Sequence, residues 1–124
     1  MSIVSGQNIK VKKDKVWIDG IHTLNYHGSL NGTTFKTVEG KELFFLSHHT
    51  ETQTLPAYTK LIFLTQSKMV TNTQVVFTRK ILIKTLLDEG ILVNGNVVEE
   101  KIDNFILKYN EPLPTKNVIV VERE

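Results

Sequence analysis

The hydrophobic period of this chain changes once, near Phe77, and that change limits what the chain can fold into. Up to Phe77 the apolar residues come in short alternating runs. Alternation places one set of side chains on one face of a pleated strand. From Thr78 to Asn110 they recur three and four apart, the spacing of a helix face, and Asn117 to Glu122 returns to a strand-like apolar run. Strands followed by helices predict an α+β domain. We expect a mostly antiparallel sheet of five to seven strands with two helices, over about 78–89 and 97–110, packed on one face. A length of 124 residues suits a single globular domain over 1–124 with one continuous core.

The strands read as a series of hairpins. Ile9 and Val11 alternate with Asn8, Lys10 and Lys12, Lys13-Asp14 turn the chain, and Val16 and Ile18 alternate with Lys15, Trp17 and Asp19. Trp17 therefore lies on the face opposite Val16 and Ile18. Leu24 and Tyr26 alternate weakly, and Asn31-Gly32 is a turn dipeptide, because both residues tolerate positive φ. Thr33 to Val38, a Glu39-Gly40 turn, and Lys41 to Ser47 form a second hairpin. Its second strand is apolar on both faces, which predicts a central place in the sheet. His48 to Pro56 and Ser67 to Asn72 read as loops, Lys60 to Thr65 as a strand, and Val118 to Val121 as a closing strand.

Leu82 with Leu86 and Ile83 with Leu87 stack one turn apart in the first helix, and Gly90 suits its C-terminal left-handed position. In the second, Val98, Ile102, Phe105, Ile106 and Tyr109 share one face. Ile91 to Val98 also reads as a small hairpin around Asn94-Gly95. Hairpin and helix compete for Val97 and Val98, so only one reading can hold there.

Composition removes several function classes. The formal charge is +2, and only Arg79 and Arg123 are arginines. A dedicated non-specific nucleic-acid binder carries a larger basic excess, since its affinity comes from neutralising phosphates. The chain has no cysteine, which excludes disulfides, thiolate catalysis and cysteine metal sites. Met1 to Gly6 lacks the basic-then-apolar pattern of a secretory leader, and no apolar run approaches the roughly 20 residues that span a bilayer. The expectation is a cytoplasmic protein that uses no membrane, cofactor or metal. Abundant Lys, Asn, Ile and Thr suggest an AT-rich bacterial or phage genome.

Three groups of residues stand out as candidates. Lys10, Lys12, Lys13 and Lys15 cluster beside Trp17, a pattern that can grip single-stranded nucleic acid by charge and stacking. The same lysines also suit a solvated strand face or a protected sheet edge. His27-Gly28-Ser29 and His48-His49-Thr50 resemble the paired motifs of the two-histidine phosphoesterases. That resemblance implies an acid/base pair in His27 and His48, with hydroxyls holding phosphate oxygens. His48 and His49 with Glu51 are the one combination that a metal could use, although zinc would want a further ligand at a recognisable spacing. Thr78-Arg79 opening a helix, Gly90 ending it and Val93-Asn94-Gly95 turning a hairpin resemble the small RNA-binding module of ribosomal proteins and pseudouridine synthases. That likeness runs from Thr78 to Val98 and implies RNA contact through Arg79. Phosphate-loop, dinucleotide and nucleophile-elbow motifs are absent.

The expected function is therefore non-enzymatic binding, with a protein partner, in the manner of a small phage- or bacterium-encoded inhibitor or accessory factor. Binding of RNA or single-stranded nucleic acid is the first alternative and a small phosphodiesterase the second. A homo-oligomer fits strands that are apolar on both faces and need covering.

Overall fold

A computed structural model describes residues 8–74 and 77–111. Seven strands follow one another as an antiparallel meander in which each pairs only with its neighbours in sequence. They are β1 (Ile9–Lys12), β2 (Lys15–Ile18), β3 (Ile21–Gly28), β4 (Thr33–Thr37), β5 (Glu42–His49), β6 (Tyr58–Phe63) and β7 (Lys68–Asn72). Helix α1 (Arg79–Asp88) follows, then a small hairpin of β8 (Leu92–Val93) and β9 (Asn96–Val97). A 3-10 turn over Glu99–Lys101 leads into α2 (Ile102–Tyr109). The architecture is the expected α+β one.

Pairing register makes the alternation a continuous inner face. Phe35 lies opposite Tyr26 and Phe44, and Phe44 opposite Phe63. Leu46 lies between Thr33 and Leu61, and Leu61 opposite Val70. At the β1 end, Val16 joins Val11 to Leu24. Leu82, Ile83 and Leu86 of α1 and Ile102 and Phe105 of α2 are buried in the same core. Helix α1 packs along β1 and α2 along β7, so the helices meet the inner face from the sheet's two edges.

An aromatic row runs through this core. Phe35 stacks on Phe44 at 4.9 Å between ring centres, Phe63 meets Phe105 edge-on at 5.9 Å, and Phe105 lies 4.7 Å from Tyr109. Offset and edge-to-face pairs of this kind add about 0.5–1.5 kcal/mol beyond the area they bury.

Several boundaries differ from the sequence reading, each for a physical reason. Ser67 to Asn72, read as a loop, contains β7. Its only inward apolar residue is Val70, while Asn72 is buried and donates to the Tyr109 carbonyl at 2.7 Å. Periodicity cannot see a strand held by one valine and an amide. Strand β5 continues through His48 and His49, which the reading placed in the following loop. The hairpin wins Val97, since Asn94 and Gly95 both take positive φ (52° and 79°), as its turn requires. The second helix consequently starts at the 3-10 turn instead of at Val97. The Asn31-Gly32 turn is displaced too: Ser29 and Gly32 exchange backbone hydrogen bonds, so Leu30-Asn31 forms the two-residue loop. The closing strand expected at Val118–Val121 lies outside the described residues.

The chain after α2 also covers the free side of β7. Asn110 Oδ1 accepts from Thr71 N–H at 2.8 Å, Glu111 N–H donates to the Thr71 carbonyl at 2.8 Å, and Glu111 Oε1 accepts from Thr73 N–H at 2.9 Å. With its N–H and carbonyl so engaged, Thr71 no longer offers that part of the edge for pairing with another chain.

Two carboxylates fasten α2 in place. Glu89, at the end of α1, accepts from Lys108 Nζ at 2.7 Å and from the Tyr109 hydroxyl at 2.9 Å. The Lys108 hydrogen bond, helped by that of Tyr109, holds the Glu89 carboxyl below its ordinary value of 4.5. Hydrogen bonds from Thr73 do the same for Glu111. A carboxylate whose folded value is depressed stabilises the fold above its unfolded value and loses that contribution as pH falls through the folded value. Urea midpoints should therefore decline on acidification below about pH 4.5. Glu89→Gln should flatten that decline. An acid limb of unchanged steepness in the variant would show that the Glu89 clasp carries no stability.

Candidate nucleic-acid interface

The side chains that alternate away from the core form the outer face of the sheet. Register aligns them in rows across the strands. One row joins Lys10, Trp17 and His22. The next joins Lys12, Lys15, Asn25, Lys36 and Glu42. A third joins His27, Thr34, Phe45, Ile62 and Met69, a fourth Ser47, Lys60 and Thr71, and a fifth His49 and Tyr58. Five lysines thus occupy outward strand positions, against one carboxylate, Glu42, among the described residues. At about 4.8 Å per strand, the span from Lys15 on β2 to Lys60 on β6 is about 19 Å.

The protein's other described carboxylates are placed elsewhere. Asp14, Asp19 and Glu39 sit in turns, Glu51 in the loop after β5, and Asp88, Glu89, Glu99, Glu100, Asp103 and Glu111 in or beside the helices. Asp19 is occupied as well, accepting from Asn8 N–H at 2.9 Å. A net charge of +2 therefore conceals a basic face and a mixed remainder.

Aromatic rings interrupt the lysines. Trp17 is partly buried, its ring centre 5.2 Å from that of His22, whose Nε2 lies 2.6 Å from Asn25 Oδ1. Beside the indole, Asn8, Lys10, Trp17 and Gly20 line a depression of about 330 Å³. Across the sheet, His49 stacks on Tyr58 at 4.5 Å with the rings 10° from parallel, and its Nε2 lies 2.9 Å from Ser47 Oγ. Burial, and after it the charges of Lys60 and His48, push the His49 imidazole below its ordinary value of 6.5. His49 is accordingly neutral at neutral pH, and the lysines supply the charge of the face.

The sequence-derived candidates separate accordingly. Lys10, Lys12 and Lys15 come together with Trp17, while Lys13 turns away in the β1–β2 turn at φ 54°. Lys36 and Lys60, which the sequence reading did not single out, join them. Their strand parity was readable, since each adjoins an inward residue (Lys36 follows Phe35, Lys60 precedes Leu61). The meander order that sets them beside the first hairpin was not. His27 is exposed on the outer face, whereas His48 projects inward and its Nε2 lies 2.7 Å from the Phe77 carbonyl oxygen. The two histidines occupy opposite faces of the sheet, so the geometry does not assemble an acid/base pair from them. His48 and His49 diverge in the same way. Among the described residues no group of three or more His, Asp or Glu side chains is placed to hold a metal ion.

Arg79 lies apart from the lysines, at the first position of α1, with its guanidinium carbon 4.7 Å from the centre of the Tyr26 ring. Helix α1, Gly90 at φ 75° and the Asn94-Gly95 hairpin do follow one another as the helix-and-hairpin resemblance implies. Among the described residues no helix is long and apolar enough to cross a membrane. No protein family matches this chain, and no curated protein or solved structure matches it.

Proposed function

We propose that this is a non-enzymatic binding protein and that its outer sheet face holds a single-stranded nucleic acid. One observation carries the reading: among the described residues, five outward lysines, interleaved with Trp17, Phe45 and Tyr58, share the face with a single carboxylate. Single-strand binders combine a cationic track for the phosphates with rings on which bases stack, each stacked base contributing about 1–3 kcal/mol. The depression beside Trp17 offers room for such a base, with Lys10 on its rim. A protein partner, expected from the lack of a catalytic signature in the sequence, would prefer a face poor in lysine, because lysine is depleted from interface cores. Charge complementarity favours the polyanion.

The test is binding to oligo-dT and oligo-U of defined length across a series of salt concentrations. Affinity should fall as salt rises, with a logarithmic slope of about −3 if four phosphates are neutralised. Reversing Lys12, Lys15 and Lys36 to glutamate should weaken binding by at least about tenfold and flatten the slope by about 2. Salt-independent binding, or a triple variant equal to the native protein, overturns the reading. So does a protein captured through this face when no oligonucleotide binds.

A further inference from the structure

Arg79 is fixed in the manner of a ligand-binding arginine. Its Nε–H donates to Thr33 Oγ1 at 3.1 Å, and its guanidinium lies over Tyr26. Gly28 makes the space: a Cβ there would stand 2.8 Å from the near Nη nitrogen. A ring face, a hydroxyl and a missing side chain therefore fix the guanidinium plane from three sides. Among the described residues no carboxylate lies within ion-pair distance of it; the ion pairs there are Lys68–Asp103, Lys84–Asp88 and Lys108–Glu89.

The guanidinium borders a cleft of about 260 Å³ between the β3–β4 turn and the end of β5. Ser29, Asn31, Thr33, Leu46 and His48 share its lining with Arg79, and no acidic residue contributes. The start of α1 is not the recognition element, because the Thr78 hydroxyl already accepts the Ile81 N–H. With Nε engaged by Thr33, the Nη groups keep donors for an oxyanion, and a guanidinium presents such donors as a planar fork suited to phosphate.

We propose that this cleft is a phosphate site, with Arg79 as its principal donor and the side-chain amide of Asn31 completing it, since the Ser29 hydroxyl is already engaged by the Gly32 carbonyl and the Asn31 N–H. The cleft is much larger than one phosphate group, so the site suits a phosphate monoester whose organic part extends toward Leu46. Outer-face binding is a separate matter: the phosphate site uses none of the lysines there, and their reversal leaves it intact.

The experiment is titration of the whole protein with inorganic phosphate, followed by amide and arginine Nε–H chemical shifts, with a nucleoside monophosphate and acetate as further arms. Saturable shifts at Arg79 Nε, Ser29 and Thr33, with a Tm that rises with phosphate, support the site. Stronger saturation by the monophosphate identifies an ester as the ligand, and equal strength identifies the free ion. Arg79→Gln should weaken binding by at least about tenfold, and Arg79→Lys should not restore it, because the fork geometry is lost. Ser29→Asp, which puts a carboxylate in the cleft while still able to accept the Asn31 N–H, should also abolish binding, so the test survives if Arg79→Gln unfolds. Linear, non-saturating shifts, acetate binding as tightly as phosphate, or unchanged affinity in Ser29→Asp would overturn the proposal.

Discussion

Phe44→Ala should cost about 3–5 kcal/mol of unfolding free energy, the range for removing a fully buried phenylalanine whose surroundings cannot collapse. Phe44 has no exposed surface and sits in β5 with Phe35 opposite on one side and Phe63 on the other. Its ring stacks on Phe35 at 4.9 Å and lies 6.5 Å from Phe63, which in turn meets Phe105 of α2. The cavity would open in the middle of the aromatic row, where the sheet ladder on both sides prevents closure. Against a total stability of about 5–15 kcal/mol, the loss is a large fraction, and Tm should fall by about 15 °C. The informative control is the next residue. Phe45 points outward and is half-buried, so Phe45→Ala should cost about 1 kcal/mol. Thermal and urea unfolding of both variants measure the contrast. Equal losses would mean that the outer face is a second packed core, and the binding surface proposed for it would have no room to exist.

That contrast also explains which parts of the fold could be read from the residues. Strands β2 and β5 carry inward apolar side chains at alternate positions (Val16 and Ile18, Phe44 and Leu46), and burial selects such patterns directly. The helices were legible for the same reason at Leu82, Leu86, Ile102 and Phe105. Strand β7 was not, because beside its ladder with β6 it has one inward apolar residue, Val70, and its other ties are hydrogen bonds between Asn72 and Tyr109 and between Thr71 and Glu111. Polar contacts between residues nearly forty positions apart leave no period in the sequence. The candidate sites behave likewise. Lys10, Lys12, Lys15 and Trp17 are local in sequence and were visible as a cluster. The neighbours of Arg79 come from two separate stretches far from it in sequence: Tyr26 to Thr33, and Leu46 with His48. Only the meander, bringing β3, β4 and β5 together at one end, makes them a site. The two histidine triplets illustrate the opposite failure. Their shared His-x-Ser/Thr pattern suggested a pair, but His27 and His48 fall on positions of opposite parity relative to the core, and parity decides where a strand side chain points.

Gly32→Ala is the second substitution with a large expected effect, and its cause is a close approach of backbone to backbone. A Cβ on Gly32 would stand 2.6 Å from Cζ of Phe45 and nearer still to the carbonyl oxygen of Leu46. A flexible side-chain end could move aside, but the Leu46 carbonyl belongs to β5, inside the β4–β5 and β5–β6 pairings. Relief requires the β3–β4 turn to lift away from β5. That movement strains the Ser29–Gly32 hydrogen bonds and the Thr33–Leu46 pairing beside them. Overpacking of this kind costs about 3 kcal/mol. A second consequence separates this variant from Phe44→Ala. Gly32 and Thr33 both line the cleft in front of Arg79, and Thr33 Oγ1 accepts the Arg79 Nε–H. Lifting the turn should release that bond and free the guanidinium from Tyr26. Urea unfolding would measure the stability loss, and the Arg79 Nε–H resonance would report the release by moving toward its exposed position. A stable Gly32→Ala protein with an unmoved Arg79 signal would mean that the turn stands further from β5 than these contacts require.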